Sequence, residues 1–292
     1  MNCLPIRGEP AGAISRLART RMSSLRWEPF LLADWERVLM LHFEVDPAAL
    51  QGATPYPLDL WEGHAFVTLV AFTMRGMRLR AGGNFSRWLL HPLATHEFLN
   101  VRTYVRCGEE RGIHFLAEWL PNRLAVWLGP RTFGLPYRHG RLRYQHPHES
   151  RCLSGEVIDT ASGCRFAYTA TLADGAFAPC PASSLTEWLM ERYSAFNVAG
   201  ARKRFFRVWH PPWEAASARV DLHALDLLER QWHWFRGARP AGADYSPGVR
   251  DVWMSRPYGV QTRQRQPGDA MAGATSPASS GGGAGNQTCP CR

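Results

Sequence analysis

Residues 97–106, Glu97-Phe98-Leu99-Asn100-Val101-Arg102-Thr103-Tyr104-Val105-Arg106, decide how this chain folds. β-Branched and aromatic residues alternate there with polar ones at a period of two, which predicts a β-strand. Val101, Thr103 and Val105 fall on one face, and Asn100, Arg102 and Tyr104 on the other. Strand-like runs flank the segment on both sides, so both faces are expected to be covered. An unpaired charge in such a place is very costly. Arg102 therefore needs a partner, and any functional pocket is expected around it.

Working outward, a turn at Gly108-Glu109-Glu110 leads to a return strand at residues 112–119, making a hairpin. Residues 35–43, 65–72, 141–145, 164–172, 204–210 and 214–220 predict further strands. Asp46 and Pro47 open a short helix as N-cap and first residue. Another helix is expected at 122–129, opened by Asn122 and closed by Gly129-Pro130. The clearest helix is 185–196, where Ser184 caps and Glu187 follows three residues on. Its apolar stripe is Leu185, Trp188, Leu189 and Phe196. Arg192 sits on that stripe, with its head either in solvent or, like Glu191, reaching a shared polar site. Residues 222–235 have helical spacing, and 73–95 read as a long connection of the kind that forms lids and rims.

The folded unit is expected to run from 27 to 235 as a single domain of α+β class, mostly β. Hairpin-short connections point to antiparallel pairing. Residues 1–26 read as a disordered arm, and 236–292, rich in Gly, Ser, Ala and Pro, as a disordered tail.

The formal charge of +9 invites a nucleic-acid reading, but its distribution argues otherwise. Residues 1–26 and 231–292 carry +4 each, which leaves +1 for everything between them. A near-neutral core lacks the basic face of a nucleic-acid-binding fold, so no specific nucleic-acid partner is expected. No run of about 18 apolar residues exists to cross a membrane, and the N-terminus lacks a secretory apolar segment, so a cytoplasmic protein is expected. The seven cysteines form no CxxC pair. His146-Pro147-His148 has no third ligand nearby, and Cys289-Pro290-Cys291 lies in the tail, so no metal site is expected. No phosphate loop, GxSxG elbow or HExxH helix calls for a cofactor. A homo-oligomer stays open.

Three stretches carry a resemblance. They are residues 97–105, the run Phe133-Gly134-Leu135-Pro136-Tyr137, and residues 184–193 followed by His210-Pro211-Pro212-Trp213. Their order and spacing resemble the YqjF-like family, domain-of-unknown-function family 2071, across about residues 27–220. That family is similar in fold to acetoacetate decarboxylase. The resemblance implies a closed antiparallel β-barrel with packed helices, whose interior positions can line a ligand cavity. It implies no established activity.

One departure bears on chemistry. Decarboxylases of that fold use a lysine imine, and Lys203 is the only lysine in this chain. It lies beside the Gly200 turn at a strand start, a solvated position, so Schiff-base chemistry is disfavoured. The candidate pocket comprises Arg102, Tyr104, Arg192 and Tyr137 for ligand binding, with Glu97, Glu191 and His210 as acid–base candidates. The reading is a small carboxylate or carbonyl compound bound inside a barrel. Three alternatives stand beside it. They are an enzyme acting on a small keto acid without a lysine imine, a structural ion-pair network, and a scaffold working through its tails.

Overall fold

Each strand of this protein is placed by where its two faces go. The computed structural model describes residues 11–147 and 151–259. After helix α1 (Ala11–Ser23) come strand β1 (Leu31–Val45), helix α2 (Pro47–Gln51), β2 (Ala65–Leu79) and α3 (Gly83–Leu90). The opening segment is β3 (His96–Cys107), followed by β4 (Glu110–Leu120), α4 (Arg123–Thr132), β5 (Tyr137–Gln145), β6 (Cys152–Asp159) and β7 (Arg165–Leu172). Then follow β8 (Ala178–Pro179), α5 (Leu185–Met190), β9 (Ser194–Ala199), β10 (Arg202–Trp209) and β11 (Glu214–Ala224). Helix α6 (Asp226–Gln231), β12 (Arg239–Met254) and β13 (Tyr258–Gly259) complete the described chain.

Neighbouring strands pair in the order β12-β1-β2-β3-β4-β5-β6-β7-β11, and β11 pairs back onto β12 at Ala216 opposite Tyr245. That closes a ring of nine strands. A second closure uses the same wall. β4 also pairs with β9, β9 with β10, and β10 with β12 at Val208 opposite Met254. Strands β12, β1, β2, β3 and β4 thus serve both rings. One core, containing Leu99, Val101, Phe166 and Tyr168, fills the nine-stranded ring. The other, containing Phe98, Tyr104, Phe206 and Val208, fills the second. The expected double cover of β3 is present, and this shared wall is its cause.

Several expectations need correction. Pairing is antiparallel except where β4 meets β5 and β9, both parallel. The segment read as a disordered arm contains α1, whose Ile14, Ala18 and Met22, spaced by four, pack with Tyr193 and Trp209. Arginines mask that stripe, yet Arg19 lies over the Trp209 and Trp253 rings at 4.9 and 5.1 Å. The segment read as a disordered tail contains β12, which pairs with β1 from Glu44 opposite Arg239 to Leu31 opposite Met254. Residues 1–10 of the expected arm and 260–292 of the expected tail lie outside the described residues. The expected connection at 73–95 is instead the end of β2, α3 and a 3-10 turn at His91–Leu93. The helix expected at 185–196 stops at Met190, because Ser194 to Ala199 alternate and pair with β10. Ser184 caps it as read, with the Glu187 amide donating to Ser184 Oγ at 3.1 Å, but the Glu187 carboxylate accepts from the Ser183 amide and the reciprocal half of the box is not formed. Strand β6 was not expected, and β11 takes the first residues of the helix expected at 222–235.

Glycine explains how β12 hides in a coil-like composition. Gly248 has φ +124°, and a Cβ there would stand 2.1 Å from the Trp35 carbonyl oxygen on β1. Gly248→Ala is expected to destabilise the fold by about 1–3 kcal/mol from backbone strain, with the clash added. Gly63→Ala, also at positive φ but with nothing within 4 Å, is expected to cost less. Urea unfolding midpoints of the two variants check this order.

Candidate functional site

The second ring encloses a cavity of about 630 Å³. Alternation on the shared wall supplies its apolar lining: Val38 and Met40 from β1, Val70, Phe72 and Met74 from β2, and Phe98 from β3. Arg102 lies two positions beyond Asn100 on the same face and reaches the same space. It is 8% exposed. Its Nη2 donates to the Leu189 carbonyl at 3.3 Å and contacts Met40 Sδ at 3.7 Å, while Nε has no partner. Among the described residues its hydrogen bonds thus go to a carbonyl and a thioether, and no carboxylate pairs with it.

Tyr104, on the same face, packs against Trp188 and does not line the cavity. Its hydroxyl donates to the Leu189 carbonyl at 3.0 Å and bonds Thr68 Oγ1 at 2.6 Å. Thr68 in turn bonds His42 Nδ1 at 2.9 Å, and His42 Nε2 stands 3.3 Å from Asp244. Burial lowers the His42 pKa against the pull of Asp244. This chain crosses β12, β1, β2 and β3.

Arg192, delivered by the turn after α5, lines the cavity with its charge already matched. Its Nη1 donates to Asp59 at 2.9 Å and its Nε to the Trp188 carbonyl at 2.7 Å. The guanidinium lies over the Trp188 ring at 4.1 Å and the Tyr104 ring at 5.0 Å. Asp59 also stands 3.7 and 3.5 Å from Arg106 and Arg111. Arg192 Nη2 remains without a partner.

Glu191 sits behind the cavity. Its Oε1 accepts from the Trp213 amide at 2.8 Å and its Oε2 from the Tyr193 hydroxyl. Burial pushes its carboxyl up to about 7. His210 lines the cavity, with Nδ1 2.7 Å from the Pro211 carbonyl and its ring stacked on Tyr193. Burial lowers its pKa to about 4, so it is neutral at pH 7. Tyr137 also lines the cavity, its hydroxyl pKa raised by burial and by Glu118. Glu97 falls on the opposite face of β3 with Leu99 and Val101, half-buried, and reaches neither Arg102 nor the cavity. Neither Glu97 nor Glu191, the acid–base candidates among the carboxylates, pairs with Arg102. His146 is structural, bonding the Arg37 carbonyl and the Tyr168 hydroxyl, and His148 lies outside the described residues. Lys203 donates to the Pro55 carbonyl at 3.2 Å and lies over the Tyr56 ring, away from the cavity lining. Among the described residues no three His, Cys, Asp or Glu side chains are grouped to hold a metal ion, and no helix is long and apolar enough to cross a membrane.

The sequence reading missed Glu118, Asn100 and Trp213. Glu118 is 3% exposed, its Oε1 has no partner, and burial raises its pKa well above the usual carboxylate range despite Arg102. It faces the cavity because of a bulge. Arg102 pairs with Phe115 but Val101 with Ala117, so one extra residue flips the face of β4 beyond it and brings Glu118 opposite Asn100. No signal in the hairpin turn announces this. Asn100 was legible from alternation with Arg102.

Among the described residues the cavity carries one guanidinium without a carboxylate partner, a buried carboxyl whose pKa is raised, and several unpartnered donors amid apolar side chains. A profile of uncharacterised conserved proteins, domain-of-unknown-function family 2071, matches residues 32–250, and this chain belongs to that family. The uncharacterised protein YqjF of Bacillus subtilis (strain 168) is 29% identical over 199 residues, which span 64% of this chain and 76% of YqjF. The enduracididine biosynthesis enzyme MppR, solved with HEPES bound, superposes with a TM-score of 0.58 at 14% identity, covering 81% of this chain and 90% of MppR. MppR has also been solved with pyruvate. An acetoacetate decarboxylase-like enzyme from Sphingomonas wittichii RW1 gives a TM-score of 0.55 at 15% identity over 80% of this chain and 94% of that one. The fold is acetoacetate decarboxylase-like.

Two outcomes test the electrostatics. Asp59→Ala leaves the Arg192 charge buried and unpaired, and is expected to cost about 3–5 kcal/mol in urea unfolding. Glu191, protonated more readily folded than unfolded, supports the fold fully below about pH 4.5. That support is lost as pH rises toward about 7. The stability of Glu191→Gln relative to wild type should therefore climb between those values, by up to about 3 kcal/mol. Parallel pH profiles of the two proteins would refute it.

Proposed function

We propose that this protein binds a small organic carboxylate in the cavity, with its carboxylate group on Arg102. The observation that carries this reading is a buried cation facing a cavity, bonded only to uncharged groups. Such a charge is costly unless an anion meets it. Arg102 Nε, Arg192 Nη2 and Trp213 Nε1 are buried donors without partners, and all three residues line the cavity. Arginine and indole N–H groups only donate, so they suit carboxylate oxygens. Pyruvate, the ligand named for MppR, belongs to this chemical class.

A second reading, an enzyme acting on a carbonyl acid without a lysine imine, is favoured by Glu118. A carboxyl whose pKa is raised by burial and which faces the cavity suits protonation of a ligand oxygen.

Hexanoate is the probe for binding. At about one hundred times its dissociation constant it should stabilise the protein by about 2.7 kcal/mol, a rise in Tm of about 5–10 °C. Arg102→Met should abolish the rise while the unliganded variant still unfolds cooperatively, because apolar replacement of a buried charge is tolerated. An undiminished rise in that variant would overturn the assignment.

A further inference from the structure

We infer that the ligand is an elongated amphipathic carboxylate, such as a medium- or long-chain fatty acid, and not a short keto acid. This rests on the carboxylate reading above and adds the rest of the molecule to it.

The cavity is far larger than a three- or four-carbon acid requires. Its volume of about 630 Å³ corresponds to roughly twenty waters at about 30 Å³ each, and falls in the drug-sized range of about 300–1,000 Å³. Its polarity is also arranged along an axis. Strand register sets the levels: Arg102 pairs with Thr68, Asn100 with Val70, Phe98 with Phe72 and His96 with Met74. Cavity-facing polar groups of the wall concentrate at the Arg102 and Asn100 levels, where Glu118 joins from β4. Beyond them the wall is Phe98, Phe72 and Met74, then Met77 and Leu79. His96, at the Met74 level, is neutral, since burial lowers its pKa to about 4. A strand rises ~3.4 Å per residue, so Thr68 to Met74 alone spans ~20 Å.

Exposure runs along the same axis. Arg102, Asn100, Val38 and Met40 are buried, Met77, Leu79 and Leu90 are half-buried, and Thr132 and Arg256 are exposed. The cation is therefore at the closed end and the apolar walls lead outward. The walls near the opening come partly from α3 and α4, through Leu90 and Leu128. The same helices expose Phe85, Trp88, Leu89, Leu124 and Trp127 and contain no acidic residue. A carboxylate entering head first would leave its chain against apolar side chains over the whole length. A short acid would leave most of that lining without contacts.

Isothermal titration of the full chain with butanoate, hexanoate, octanoate and decanoate tests this. Each methylene buried should tighten binding about fourfold, giving about three and a half orders of magnitude from butanoate to decanoate at one molecule per chain. Met74→Trp fills the chain path, and the gain should stop short of decanoate in that variant. A flat or falling series, with butanoate or pyruvate bound in an Arg102-dependent way, would overturn the chain-length inference and leave the carboxylate reading standing. Decanoate bound at several molecules per chain, indifferent to Arg102→Met and Met74→Trp, would also overturn it. Absence of binding by every acid would overturn both.

Discussion

A sheet with both faces buried leaves no solvent for its polar side chains, and that constraint governs the shared wall of β12, β1, β2, β3 and β4. Every polar group there must find a partner inside the protein or face a cavity. His42, Thr68 and Tyr104 bond one another strand by strand and end on the Leu189 carbonyl, while His42 Nε2 stands 3.3 Å from Asp244 without a hydrogen bond. Arg102 competes for that same carbonyl and is left with a bare Nε. The contrast with Arg192 is instructive. Both arginines are 8% exposed, yet one is matched by Asp59 and two aromatic faces while, among the described residues, the other pairs with no carboxylate.

Membership of family 2071 and the acetoacetate decarboxylase-like fold place this chain beside enzymes without conferring their chemistry. Its single lysine is on the outer side of β10 beside Tyr56, engaged with the Pro55 carbonyl. The cavity lining offers guanidinium, carboxyl, imidazole, phenol, amide and indole groups. Among these the neutral His210 and the raised carboxyls of Glu118 and Glu191 show how strongly burial shapes the region.

Much of this was legible in the amino-acid sequence, and what was not has identifiable causes. Strand period and turn residues located β1, β2, β3, β4, β7 and β10, and alternation put Arg102 and Asn100 on one face. Family motifs indicated the decarboxylase-like fold. β12 escaped because Pro240, Gly242 and Gly248 give it the composition of a linker, whereas its pairing with β1 is decided by residues some two hundred positions earlier. Helix α5 was overextended because Phe196 continues the helical spacing of Leu189, although β10 recruits it into a strand. Of the candidate site residues, Arg102, Arg192, Tyr137 and His210 line the cavity. Glu97 does not, since simple alternation already assigns it to the other face. Glu118 could not be read at all, because a one-residue bulge two strand positions away decides which way it points.

The two closures share more than a wall; they share a last component. β12 is the strand that seals the nine-stranded ring against β11 and the second ring against β10, and it lies at residues 239–254. On the ribosome, β1 emerges early but keeps one hydrogen-bonding edge unpaired until almost the whole domain has been synthesised. Neither ring can be completed by the nascent chain alone. Folding of this topology depends on contacts of high sequence separation, which form slowly. Until β12 is in place the edges of β1, β10 and β11 are open to pairing with other chains.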